Sequence, residues 1–136
     1  MFGIPHTGAN ICGSHLPANE TKLNQELCLR WIQLATFYPF ARFTYDVGQA
    51  PTEPYNLEGD YLAAANASMI DRYQYIRLMY TCLFEANQEG ESCFEPLFFY
   101  FPFNSYLYNN TDDSFMVAGA LKVTPILQPL RGNTTF

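Results

Sequence analysis

From about Tyr61 to Asn87, apolar side chains at Met69, Tyr73, Ile76, Tyr80, Leu83 and Phe84 recur at helical spacing, and the pattern stops at Gly90. Beyond Gly90 the period changes. The stretches "CFEPLFFYF", "SFMVAG" and "ALKVTPIL" are short, rich in β-formers, and separated by "NSYLYNNTDD". A long helix followed only by short strands is the pattern of an α/β unit that runs into an all-β module. The boundary is expected near Gly90, giving units at 1–90 and 91–136.

Upstream of the long helix the order is strand, helix, strand. Residues 2–9, "FGIPHTGA", read as a short strand that opens into a glycine turn, "HTGANICGSH". In "NQELCLRWIQLATFYPF", Asn24 can cap a helix and Glu26 suits its first turn. Leu27, Trp31, Leu34, Ala35 and Tyr38 then mark one face. Pro39 ends that helix, "FARFTY" at 40–45 follows as a strand, and "DVGQAPTEPYNLEG" is a loop.

At 136 residues the chain has the size of one domain but is too short for a complete large barrel. Its net charge is −6, with only seven Lys and Arg, scattered along the chain. That excludes a nucleic-acid footprint or attraction to anionic membranes. The most apolar run, "CFEPLFFYFPF", is too short to span a bilayer, holds Glu95, and is broken by Pro96 and Pro102. The four cysteines (Cys12, Cys28, Cys82, Cys93) fit no zinc spacing. Sequons stand at Asn19, Asn66, Asn109 and Asn133. Even cysteines and sequons point to a secretory route, lysosomal or extracellular. No signal peptide is visible after Met1, so the chain reads as a piece of something longer. His6 and His15 flank the glycine turn without further ligands at useful spacing, so they read as turn residues, and neither a metal nor a cofactor is expected.

The ordered set "TGANICG", "ELCLRWIQLATFYPFAR", "RYQYIRLMYTCLFEAN", "PLFFYFP" and "DDSFMVAGALKVTPIL" resembles glycoside hydrolase family 31, which includes the lysosomal and intestinal α-glucosidases. The resemblance runs over nearly the whole chain. It implies the C-terminal portion of a (β/α)8 barrel, with residues 2–9 as strand seven and 40–45 as strand eight, entering the start of a β-sandwich module. It implies a retaining glycosidase in which two carboxyl groups flank the bond. Both belong to earlier strands, so this chain carries no catalytic residue. Asp46, Asp71 and Asp113 read as solvated turn residues, and Asp112 matches an Asp before a β-module strand.

The resemblance places sugar contacts at the C-terminal ends of the last two strands. Where the family reads T-G-A-D-[IV]-C-G-F, this chain has Asn10 for the acid and Ser14 for the aromatic residue. Where the family reads R-N-H-N, Arg42 is kept and Thr44 replaces the His. Scaffold positions Gly8, Gly13, Trp31, Pro39, Arg72 and Tyr73 are kept, while Glu95, Arg77 and Lys122 depart from the family. A carboxylate accepts stronger hydrogen bonds than an amide and can pair with Arg. The substitution weakens that contact, and Asn10 can equally serve its own turn. The resemblance also implies a disulfide between Cys12 and Cys28; Cys82 and Cys93 have no such counterpart and are expected to be free. Glycans are expected at Asn19, Asn109 and Asn133. Partners implied are an α-glucoside or other carbohydrate, and the rest of its own barrel or a larger assembly. Two functions follow: part of an α-glucosidase-like hydrolase, inactive as this chain alone, or a non-catalytic carbohydrate-binding or structural subunit.

Overall fold

The computed structural model describes residues 3–13, 22–109, 111–112 and 114–128. Strand β1 (Gly8–Ile11) leads to helix α1 (Gln25–Ala35), which returns the chain to strand β2 (Phe40–Phe43). Parallel strands cannot be joined by a tight hairpin, and α1 supplies the crossover. The two strands pair in parallel from Gly8 opposite Phe40 to Ile11 opposite Phe43. A Cβ at Gly8 would run into the Phe40 carbonyl, so the pair needs glycine there.

The expected strand at 2–9 is displaced to residues 8–11. Gly3 takes a positive φ and Pro5 has no N–H to donate, so pairing begins only where Phe40 N donates to the Thr7 carbonyl at 3.4 Å. Strand β2 likewise stops at Phe43, short of residue 45.

Helix α1 starts as its sequence dictates: Asn24 Oδ1 accepts from Leu27 N at 3.1 Å, and Glu26 sits in the first turn. The buried face is rotated from the expected one. Cys28, Ile32 and Ala35 are buried, whereas Leu27 is 50% exposed. Cys28 is bonded to Cys12, with Cα atoms 4.4 Å apart, and this link turns its side of the helix inward. The expected Cys12–Cys28 bridge is therefore present.

After a single 3-10 turn (Pro54–Asn56), helix α2 (Gly59–Glu89) runs for 31 residues and ends at Gly90, whose φ of 75° closes it in the left-handed region. Met69 and Leu83 pack inward as expected, but Tyr73 and Tyr80 are each 74% exposed and Phe84 57%. The buried stripe is instead Ala65, Ser68, Met79, Cys82 and Ala86. Small residues in its first half let α1 approach. Thr36 Oγ1 donates to the Ser68 carbonyl at 3.2 Å, and Arg72 Nη1 reaches the Ala35 and Tyr38 carbonyls at 2.5 and 2.7 Å.

Past Gly90, strands β3 (Phe94–Pro96), β4 (Phe115–Val117) and β5 (Leu121–Val123) form an antiparallel sheet in that order, with the short helix α3 (Tyr106–Asn109) between β3 and β4. Cys82 and Cys93 are not free but form a second disulfide, Cα atoms 5.5 Å apart. The turn at Gly90 reverses the chain and brings Cys93 back against the last turns of α2. The core has two parts. Ile11, Cys12, Cys28, Ile32, Ala35, Leu57 and Ala65 lie under the parallel pair, and Met79, Cys82, Cys93, Phe94, Val117 and Val123 lie under the sheet. Among the described residues no helix is long and apolar enough to cross a membrane.

Candidate functional site

Alternation along the two parallel strands sorts their side chains into two faces. Ile11, Ala41 and Phe43 point to the helices and join the first core cluster. Asn10 and Arg42, which are register partners, share the other face. Asn10 is half-buried there, whereas Arg42 and Phe40 are exposed. The structure thus brings two of the residues singled out in the sequence side by side, by register rather than by proximity in the chain.

At the carboxyl end of β1 the chain turns sharply. Cys12 and Gly13 take φ of 67° and 82°, and Gly13 N donates to the Asn10 carbonyl at 3.2 Å. The turn is closed by the backbone of Asn10. Among the described residues no hydrogen bond is made by its side-chain amide.

Thr44 follows the end of β2. Its carbonyl accepts from Thr52 Oγ1 at 3.4 Å, while its own Oγ1 is buried with no partner among the described residues. Glu53, next to Thr52, has an equally buried and unpartnered Oε2. An unpaired buried polar group costs about 1–3 kcal/mol; the Glu53 oxygen calls for a donor, and the Thr44 hydroxyl can be satisfied by a donor or an acceptor. Glu53 was not legible as a site residue, since its only sequence signal is its place before Pro54 in a loop. The carbonyl of Thr52 also lies 3.7 and 3.9 Å from the two sulfurs of the Cys12–Cys28 bridge. A disulfide has no S–H to donate, so this is a packing contact that holds the loop against the strand ends.

Ser14, His15, Asn19, Asp113 and Asn133 lie outside the described residues. Asn109 ends α3 and is exposed, as is Asn66 on α2. His6 is exposed, with its ring edge-on to Phe40 at 6.2 Å. Asp46, Asp71 and Asp112 are exposed and far apart in the chain order of elements, with Asp46 accepting from Gln49 N in a turn.

Strand ends that gather polar groups above a helix-packed sheet are where α/β folds bind ligands. Comparison with known proteins shows the family of the chain. Residues 1–82 match the family described as "Glycosyl hydrolases family 31 TIM-barrel domain". The chain is 38% identical over 135 residues to a probable alpha-glucosidase of Oryza sativa subsp. japonica, covering 99% of this chain and 14% of that protein. It is 34% identical over 135 residues to the lysosomal alpha-glucosidase of Rattus norvegicus, with the same coverage of 99% and 14%. Among solved structures, the family 31 alpha-glucosidase from Bacteroides thetaiotaomicron superposes with a TM-score of 0.79 at 29% identity, over 95% of this chain and 21% of that one. The chain therefore spans about 14% of the length of these curated relatives. With a family match over residues 1–82, more than half of its length, and a fold that superposes on a solved member, this chain belongs to glycosyl hydrolase family 31.

Proposed function

We propose that this chain is the C-terminal part of an α-glucosidase-type catalytic barrel, strands seven and eight with their helices, running near Gly90 into the start of a β-sandwich domain. It supplies one wall of a glucose-binding subsite at the ends of β1 and β2, through Asn10, Ser14 and Thr44 with Arg42 in support. The observation that carries this reading is the two-faced parallel pair: one face is packed on α1 and α2, and the other presents Asn10 beside Arg42. A retaining glycosidase needs two carboxyl groups across the sugar, and this stretch matches neither of the family's pair. The chain by itself does not hydrolyse α-glucosides. The lysosomal relatives support a secretory or lysosomal route, as do the two disulfides.

A non-catalytic carbohydrate-binding or structural subunit is the second reading, favoured by the neutral amide at Asn10 and by Thr44. A chromogenic α-glucoside, given to the 136-residue chain and to any longer gene product that contains it, separates the two. No turnover by the chain is expected, and turnover by it overturns the first claim. A longer product that turns over, and does so faster after Asn10→Asp, supports the hydrolase. A longer product that binds maltose without turnover selects the subunit.

A further inference from the structure

Helix α2 buries one stripe and leaves another bare. Leu62, Ile70, Tyr73, Ile76, Tyr80 and Phe84 are 40–74% exposed. At ~100° per residue they all fall within about 60° of the Tyr73 direction. Asn66 is exposed on the same line. The buried residues Ser68, Met79 and Ala86 point more than ~100° away from it. Helix α1 packs on that buried side, where it meets Ser68 and Arg72.

The bare stripe is self-complementary. Its members stand in pairs about Tyr73: Ile70 with Ile76, Asn66 with Tyr80, and Leu62 with Phe84, each pair equally spaced before and after it. In a symmetric dimer contact, residue i meets j while j meets i, and a two-fold axis at Tyr73 satisfies this along the whole stripe. Two copies of α2 laid antiparallel bring Leu62 level with Phe84, Ile70 level with Ile76, and the Asn66 amide level with the Tyr80 hydroxyl. Tyr73 then meets its own copy.

Charge does not oppose this contact, although the chain carries a net charge of −6. The stripe holds no acidic side chain. Asp71 is turned about 160° from Tyr73. Arg77 is exposed, makes no ion pair among the described residues, and lies beside the stripe. In the antiparallel pair its guanidinium comes within reach of the partner's Tyr73 ring, a favourable cation–π arrangement. With ~150–250 Å² for a whole aromatic side chain, the six apolar residues expose roughly 600 Å² per copy. A pair would bury about 1,200 Å², the lower end of specific stable interfaces.

We propose that this stripe is the contact of a homodimer in which two copies of α2 pack antiparallel about Tyr73. The contact is separate from the strand ends and does not depend on the sugar subsite.

The test is sedimentation velocity over a concentration series. Asn66 opens a sequon within the stripe, and a glycan there would hold the copies apart, so the chain is used unglycosylated with both disulfides intact. A closed monomer–dimer equilibrium with a midpoint on the order of 10 µM is expected for an interface of this size. Tyr73→Asp sets two carboxylates against each other at the axis and should weaken pairing at least about ten-fold. Tyr73 is 74% exposed, so the variant should keep the circular dichroism of the parent. Under mild oxidation Tyr73→Cys should cross-link to its own copy, because helices packed ~8–10 Å apart bring axial positions within disulfide reach. Asp71→Cys, on the other side of the helix, should not. A chain still monomeric about thirty-fold above that midpoint overturns the proposal and assigns the stripe to another segment of a longer protein. Association that Tyr73→Asp leaves unchanged, or in which Asp71→Cys links as readily as Tyr73→Cys, overturns it equally.

Discussion

Arg72→Met tests whether one guanidinium fastens the two helices together. Arg72 Nη1 lies 2.5, 3.3 and 2.7 Å from the carbonyls of Ala35, Thr36 and Tyr38, at the C-terminal end of α1. That end exposes carbonyls that have lost their helical partners and carries the negative end of the helix dipole, so a cation there is favoured twice. The Ala35 carbonyl keeps a second donor, Tyr38 N at 3.2 Å. The Thr36 and Tyr38 carbonyls have no other donor among the described residues. Met preserves the aliphatic stem but leaves those carbonyls unpaired. Two charge-assisted bonds at ~1.5–3 kcal/mol each, less the cost of desolvating the guanidinium, give a loss of about 2–4 kcal/mol. Burial lowers the Arg72 pKa, with Tyr73 opposing. At roughly 3–4 °C per kcal/mol for a chain of this size, the Met variant should melt about 6–16 °C lower. Arg72→Lys should lose about half as much, because one ammonium cannot span the same set of carbonyls. The measurement is thermal and urea unfolding by circular dichroism with the disulfides intact. A Met variant within about 0.5 kcal/mol of the parent, the range of an ordinary surface substitution, would refute the reasoning.

Peptide mapping without reductant should find Cys12 linked to Cys28 and Cys82 linked to Cys93. Breaking the first bridge alone, by Cys12→Ala with Cys28→Ala, should cost about 3 kcal/mol for a loop of its size, and a cost near zero would dismiss the bridge as a stabiliser. Tyr100 donates its hydroxyl to Glu95, and burial, with that bond and the nearby carboxylate, pushes its pKa up to about 12. The sign follows: the contribution is intact below the ordinary tyrosine pKa near 10 and is lost as pH rises through about 12. Spectrophotometric titration should show one late phenol that Glu95→Gln moves earlier; no change on that substitution removes the pairing as the cause. Expression in a eukaryotic secretory host should add a glycan at the exposed Asn109, checked by intact mass before and after deglycosylation, with an unchanged mass counting against the secretory route.

Local signals carried the helices. Asn24 as a cap, Pro39 as a stop and Gly90 as a left-handed terminator act through neighbours in the chain, so α1, α2 and the switch to short strands could be placed without coordinates. Which face of α2 is buried could not. The contact with α1 is made by Ala65 and Ser68, whose small size permits close approach but leaves a weak apolar pattern. The larger Tyr73, Tyr80 and Phe84 drew the eye to the exposed side. The site was legible only as positions. That Asn10 sits beside Arg42 depends on strand register, and the Cys82–Cys93 bridge depends on the reversal at Gly90. Neither is written in spacing alone. Glu53 is a further case, because its burial arises from the packing around its loop rather than from its neighbours in the chain.

The parallel pair has a practical consequence for anyone who handles this polypeptide. Each strand is hydrogen-bonded to a single neighbour, so β1 and β2 both offer an outer row of backbone N–H and C=O groups among the described residues. A closed barrel has no such rims, whereas in a two-stranded sheet both strands are edge strands. Such rims recruit further strands, and here they flank a face on which Phe40 is exposed. Purified by itself, the chain should self-associate as its concentration rises, by adding strands edge to edge. Charged substitutions along the outer rim of β2 are the first remedy for its solubility.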